Sequence, residues 1–494
     1  MIKPTLETAK GLAKEYKVIP VCKEIYSDFI TPIQVLRKLK KVSGHCYMLE
    51  SVENQERWGR YTFLGYKPKL CLTCINGLLK ITDIDGSVIT EEKTTHPQSR
   101  INKLLEEYKS PKIDGMPSFT GGLVGYFAYD YIKYSEPRLN QDVEDTEGFN
   151  DVDLMLFDKV IAFDNVKQKL IVIVNASTED IEKSYEAAIN DIDEIIQLIR
   201  CGEEDKAEPA TLKSEFRRLF DKEEFCQMVN KAKQYIYEGD IFQVVLSNRL
   251  EADFEGSLLD TYRVLRTINP SPYMFYFSGD DIEVAGASPE TLVKLEDGVL
   301  HTFPLAGTRP RGKTVEEDRE LERGLLADEK ECAEHNMLVD LGRNDLGRIS
   351  KFGSVNVEKY MSVERYSHVM HIGSTVRGEI RDDKCALDAV CSVLPAGTLS
   401  GAPKIRACEI IRELENNKRG IYGGAIGYID FTGNLDTCIA IRIAYKKNGK
   451  VFIRSGAGIV ADSVPESEFQ ECINKAQAVV TAIEASQDKS LNEM

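Results

Sequence analysis

Two periodicities alternate along the chain. Residues 45 to 75 and 117 to 175 carry short apolar runs interrupted by Gly and Pro, the pattern of strands joined by turns. Residues 176 to 200 switch to helical spacing, with Ile181, Tyr185, Ala188 and Ile192 on one face. A polar stretch without periodicity follows, CGEEDKAEPATLKSE at 201 to 215, and reads as a linker. The second half opens on a helix predicted over 221 to 238, with Asp221 as N-cap, Glu224 completing a capping box and Gly239 as the stop. IFQVVLSNRL (241 to 250) then reads as a strand. Phe242, Val244 and Leu246 fall on its more apolar face, with Gln243, Val245 and Ser247 opposite. Helical patterns at 316 to 341, 383 to 393, 403 to 415 and 465 to 485 alternate with strands at 282 to 295, 421 to 430, 436 to 445 and 451 to 455. Helices and strands in packed layers are the expected class, α+β.

A chain of 494 residues exceeds what one ordinary core fills, about 250 to 300 residues. The pattern divides it into an N-terminal region 1–200, a linker 201–220, a second region 221–485 and a tail 486–494. The 80 acidic against 63 basic side chains leave a net charge of -17, which repels nucleic acid and anionic lipid. No apolar run approaches the roughly 18 residues of a spanning helix, and the N-terminus lacks a signal-peptide apolar core, so a cytoplasmic location is expected. Without export, the 12 cysteines are expected to be reduced thiols. Cys71 and Cys74, the one close pair, have no second pair or neighbouring His and read as strand residues rather than zinc ligands.

Candidate chemistry lies mostly after residue 240. Glu331 and Glu334 lie three apart on one helix, and Glu468 and Glu471 repeat that spacing on another. Carboxylates converging from two helices, with no His or Cys cluster, suit a hard cation such as magnesium; solvated acidic faces are the alternative. In DTCIAIRIAY, Arg442 shares a strand face with Cys438, Ala440 and Ala444, leaving room for a large carboxylate ligand or for a protein Asp or Glu. RSGAGIVADSVPES sets Gly456 and Gly458 ahead of a helix start, where backbone N–H groups can receive an anion. TFPLAGTRPRG (302 to 312), with Arg309 and Arg311, is also expected to open its backbone toward an anion. GTLSGAPK (397 to 404) lacks the P-loop spacing, which disfavours ATP chemistry.

Taken together, PLAGTRPRG, AEHNMLVDLGRNDLGRIS, GTLSGAPKIRA, RGIYGGAIGY, LDTCIAIR and SGAGIVADSVPESEFQE resemble the chorismate-utilising enzyme family, in particular its anthranilate-forming large subunits. The resemblance implies a layered β-sandwich with flanking helices. It implies Mg2+ held through Glu334 and Glu471 with Glu331 and Glu468 nearby. It further implies chorismate contacts from Gly307, Thr308, Gly456, Ala457 and Gly458, with Tyr422 and Arg442 at the enolpyruvyl end. Glu290 matches the family's general acid, and His371, with Thr308 beside the ring, occupies an active-site position. MLESVENQERWGRYTFLG (48 to 65) and the Asn269-to-Met274 segment resemble the tryptophan-feedback site, which points to Ser51, Pro272, Tyr273 and Met274 and makes region 1–200 regulatory.

Position 306 narrows the implied reaction. Aminodeoxychorismate-forming relatives place an attacking lysine where this chain has Ala306, and isochorismate-forming relatives place a water-activating lysine where it has Gln243. With neither lysine, external ammonia is the implied nucleophile and anthranilate the product. The chain carries no glutaminase Cys-His-Glu signature, so a separate glutamine amidotransferase subunit is the implied partner. Two other readings are an aminodeoxychorismate synthase, opposed by Ala306, and a non-catalytic sensor, opposed by the presence of Glu290 and both glutamate pairs.

Overall fold

The computed structural model describes residues 2–51, 59–139, 143–206, 208–365 and 369–488. Two large sheets stack face to face, and helices cover the outer face of each. The period-2 alternation of the strands builds these layers. In strand Lys159–Asp164, Val160 and Ala162 enter the core between the sheets, while Ile161 and Phe163 face the outer helices. Strand Val152–Phe157 of the second sheet repeats the arrangement, with Met155 and Phe157 inward and Val152, Leu154 and Leu156 outward. The layered β-sandwich with flanking helices is the architecture observed.

Both sheets draw strands from both halves of the chain. In the first, Cys46–Glu50 pairs with Tyr273–Ser278; in the second, Gly122–Phe127 pairs with Ala425–Asp430. Residues 201 to 220 cross between the halves, and their short strands Thr211–Leu212 and Arg217–Arg218 pair with Gln243–Glu255. Helix Lys222–Tyr237 starts at the Asp221–Glu224 capping box read from sequence, and Gly239 takes a positive φ of 87°.

Four elements differ from the sequence pattern, and three of the differences shape the site. The helix expected over 316 to 341 is two helices, Val315–Leu326 and Glu329–Gly347, because Asp328 caps the backbone N–H groups of Lys330 and Glu331 and restarts the helix. The strand expected over 282 to 295 breaks at Pro289 and Glu290. The strand expected over 436 to 445 breaks between Leu435–Ile439 and Ile443–Lys447, with Arg442 at a φ of 55°. The fourth is Phe242, placed on the apolar face by the alternation but 73% exposed because it precedes strand Gln243–Glu255.

Among the described residues no helix is long and apolar enough to cross a membrane. All 12 cysteines are free thiols; Cys71 and Cys74 lie in strand Leu70–Ile75.

Candidate active site

The site residues cluster where strand breaks and helix starts converge. Glu290 sits in the gap between strands Ile282–Ser288 and Thr291–Glu296, and Thr398 Oγ1 donates to its Oε1 at 3.0 Å. Burial pushes the Glu290 carboxyl up to about 7; the Thr398 hydrogen bond, Lys475 and Arg442 pull the other way. A carboxyl poised there keeps a proton near neutral pH, the condition for a general acid. Arg442, at the break in its strand, lies in the field of Tyr422, Glu471 and Glu290, and burial lowers its proton affinity. Among the described residues, no ion pair ties it to a protein carboxylate. The continuous strand face read from sequence is therefore corrected: Arg442 is presented by a left-handed residue at a break.

Tyr422 is buried, and a side chain at Gly456 would collide with its hydroxyl, since an added Cβ would lie 2.9 Å away. Gly458 has the same relation to Gln243, whose Nε2 would stand 2.7 Å from an added Cβ. These glycines, with the buried Ala457 between them, keep strand Lys450–Ile459 bare where it passes the site. Gln243 Nε2 donates to Glu334 Oε1 at 3.5 Å.

On the facing sheet, Gly307 has a φ of 63° within a register break between Ala306 and Arg309. The break turns the Gly307 carbonyl to His371 Nδ1 at 2.7 Å, with Thr308 Oγ1 at 3.2 Å. A carbonyl only accepts, so Nδ1 carries the proton and Nε2 holds the lone pair. Burial lowers the His371 pKa, which favours this neutral form. Arg309 and Arg311 do not serve an anion here. Arg309 binds Asp328 at 2.9 Å and Glu331 at 3.4 Å, and Arg311 binds Asp318 at 2.7 Å.

The four glutamates lie on helices Glu329–Gly347 and Pro465–Ser486 as read from sequence. Burial raises the Glu334 carboxyl and Glu331 adds to it; burial likewise raises Glu468, with Glu471 adding. Among the described residues, no three His, Cys, Asp or Glu side chains stand together closely enough to form a metal-ion cluster. Lys475 is the cation sequence reading missed. It pairs with Glu471 at 2.5 Å and donates to the Gly456 carbonyl at 3.1 Å. Its signal was the i, i+4 spacing from Glu471. Thr398 was also missed, inside the GTLSGAPK segment weighed only for phosphate.

A second cavity, of about 270 Å³, lies between the sheets and is lined by Ser51, Pro272, Tyr273 and Met274 along with Tyr428 and Asp436. Ser51 Oγ is buried there without a hydrogen-bond partner among the described residues. Of the segment 48 to 65, residues 52 to 58 lie outside the described residues.

A family model described as chorismate binding enzyme matches residues 30–481. Anthranilate synthase component 1 of Acetivibrio thermocellus is 48% identical, covering 98% of this chain and 99% of its own. That of Acinetobacter calcoaceticus is 47% identical, covering 95% and 96%. The solved anthranilate synthase component I of Streptococcus pneumoniae TIGR4 superposes with a TM-score of 0.75 at 40% identity, covering 87% of this chain and 93% of its own. MenF, the menaquinone-specific isochorismate synthase of Escherichia coli, shares the fold with a TM-score of 0.68 at 20% identity, covering 97% and 98%. With its motifs gathered into one site and near full-length relatives on both sequence and structure, the chain belongs to the chorismate binding enzyme family.

Proposed function

We propose that the chain is the large subunit of an anthranilate synthase, a lyase that aminates chorismate with ammonia and then eliminates pyruvate. The observation that carries this reading is the buried Glu290 carboxyl, bonded by Thr398 and in the field of Arg442, in a chain that carries alanine rather than an amine at position 306. Ammonia adds at ring C2 as the C4 hydroxyl leaves, so that chorismate and ammonia yield anthranilate, pyruvate and water. Glu290 gives its proton to the departing hydroxyl, a poor leaving group as hydroxide. Arg442 and Tyr422 hold the enolpyruvyl carboxylate, while Gly307, Thr308 and the bare strand at Gly456 to Gly458 admit the ring. Neutral His371 orients the ring and takes a proton on Nε2 during aromatisation.

The donors on the two helices are carboxylate oxygens, the hard ligands magnesium takes, and burial and a like-charged neighbour raise two of them; because no three acidic side chains form a cluster among the described residues, a substrate carboxylate would complete the set. Glu334 and Glu471 would hold the ion, with Glu331 and Glu468 supporting them. When bound, it supplies Lewis acidity and charge neutralisation at a substrate carboxylate. A separate glutamine amidotransferase subunit supplies ammonia, since ammonium dominates at neutral pH. The cavity at Ser51 and Pro272 to Met274 takes L-tryptophan as feedback inhibitor; its aromatic lining and the unsatisfied Ser51 hydroxyl support this.

Mixing the protein with chorismate, magnesium and an ammonium salt should produce anthranilate fluorescence. A folded protein that leaves chorismate unchanged, or yields a non-fluorescent amino product, overturns the reading.

A further inference from the structure

A polar cavity of about 720 Å³ shares no lining residue with the site or with the cavity at Ser51. It lies between helix Lys404–Glu415 and the turn at Asn76 and Gly77 that joins strands Leu70–Ile75 and Leu78–Asp83. Four cations reach it from four segments: Lys93 ends strand Val88–Lys93, Lys133 belongs to the 3-10 turn Tyr129–Tyr134, Arg412 lies on the helix and Lys418 follows it. Lys133 and Arg412 are buried, and the Lys418 side chain is 13% exposed. Three of the four are therefore built into the wall, and the exposed Lys93 stands at the rim.

Acceptors are scarcer than donors around this space. Asn76 Oδ1 receives both Lys133 Nζ and Lys418 Nζ, at 3.1 Å each, so one neutral oxygen serves two ammonium groups. The nearby carboxylates are shared with neutral donors. Asp151 takes Lys133 at 2.8 Å together with the Asn76 backbone N–H at 2.7 Å and the Tyr134 hydroxyl at 2.8 Å. Asp145 takes Lys418 at 2.7 Å and the Gly148 backbone N–H at 2.9 Å. Asp130 gives one oxygen to the backbone N–H groups of Arg419 and Gly420, and its other oxygen stands 3.8 Å from Arg412 Nη1. Among the described residues Lys93 forms no ion pair. Cations crowded round too few acceptors gain when an anion enters.

We propose that this cavity binds a small phosphorylated anion. A carboxylate presents two oxygens on one side, whereas cations reaching inward from four segments suit a compact dianion or trianion with oxygens on several sides. In a chain of net charge -17 the overall field does not draw such a ligand, so local contacts must hold it. Lys418 and Lys93 are the cations with most to give: Lys418 has two printed-out acceptors for three N–H donors, and Lys93 faces the opening.

Pyrophosphate is the probe, titrated calorimetrically into the metal-free full chain at constant ionic strength. Wild type should bind it, and saturating chorismate should not displace it. Lys418→Met removes one charged hydrogen bond and should weaken binding at least about tenfold. Lys93→Glu reverses a charge at an exposed rim position, should weaken binding at least about fivefold, and decides the matter alone if Lys418→Met does not fold. Citrate at the same ionic strength should bind at least about tenfold more weakly than pyrophosphate. Wild type that takes up no pyrophosphate, or folded variants that bind it as wild type does, overturn the site. Displacement by chorismate puts the anion in the active site and overturns it as well. Citrate that binds as tightly as pyrophosphate overturns the choice of a phosphate ligand.

Discussion

Two clusters of charge lie close to the site, one buried and one half-buried, and are built in opposite ways. Under strand Gln243–Glu255, Glu415 receives the Ser247 backbone N–H at 2.7 Å and its hydroxyl at 3.0 Å. Arg419 reaches it with two nitrogens at 2.6 and 2.9 Å, and Arg454 at 3.0 Å. Burial alone would raise the Glu415 carboxyl, but Arg419 and Arg454 outweigh it and hold the pKa low. The arginines also tie down the Leu399 and Val245 carbonyls at 2.7 Å each and Asn417 at 2.9 Å. In the glutamate set, Glu331 instead adds to the raised pKa of Glu334 and Glu471 to that of Glu468, and among the described residues only Lys475 and Arg309 pair with the set as cations. A charge satisfied on every side holds a fold; charges left in mutual repulsion await something that enters.

The largest effect should follow from breaking the satisfied cluster. Glu415→Ala strands two arginines in the interior, and removing one partner of a buried pair costs about 3 to 5 kcal/mol. Scanning calorimetry should find this variant unfolding well below wild type or failing to fold. If it unfolds no earlier than Glu334→Gln, the contrast between the two clusters is wrong.

The glutamate set should respond in the reverse sense. Glu334→Gln and Glu471→Gln should each lower anthranilate formation at least a hundredfold, about 2.7 kcal/mol on the barrier, with a higher magnesium requirement in both. Unchanged magnesium dependence in both removes them as ligands. Stability carries a second sign. The folded-state pKa of Glu334 lies above the ordinary 4.5, so its contribution is fully present below the unfolded value and is lost as pH rises through the raised one. Metal-free wild type should therefore gain stability as pH falls from 7 toward 4.5, and Glu334→Gln should flatten that slope and unfold later than wild type at pH 7. A Gln variant with the wild-type slope assigns the pH dependence to other groups.

How far these regions were legible in the sequence follows from how local their determinants are. The glutamate pairs and the capping box at Asp221 depend on helical spacing within one element, so their residue numbers could be read directly. The two-layer stack of strands was legible from period-2 alternation, but which strands neighbour one another was not. Pairing Cys46–Glu50 with Tyr273–Ser278 depends on contacts over two hundred residues apart in sequence. The strand break at Arg442 escaped detection because the apolar alternation runs through it without a glycine or proline; at Glu290 the signal was Pro289, and the bonds from Ser288 and Ile439 hold the gap. Arg309 and Arg311 misled for the same reason. An arginine beside a Gly-Thr pair looks anion-seeking until a distant helix N-terminus supplies its aspartate.

The smallest effect concerns a neutral position between the charged groups. Ala306 pairs with Ile372, one residue from His371, and precedes the Gly307 carbonyl that orients that ring. A lysine there would put an amine into the approach the proposed reaction assigns to the nucleophile, adding positive charge and bulk where that reaction needs a neutral, compact ammonia. Ala306→Lys should lower anthranilate formation at least tenfold, about 1.4 kcal/mol, while the magnesium requirement stays as in wild type because the glutamates are untouched. A lysine ammonium lowers the pKa of any carboxyl or imidazole it approaches, so a lysine that stays clear of Glu290 leaves the alkaline limb of the pH–rate profile, set by that acid, where it is in wild type. A drop in rate with an unmoved limb and unmoved magnesium dependence places position 306 on the nucleophile's path rather than on the acid or the metal. Near-normal anthranilate production by a folded Ala306→Lys protein would show that the small residue borders neither, and the choice of ammonia over an enzyme amine would have to rest on Gln243 alone.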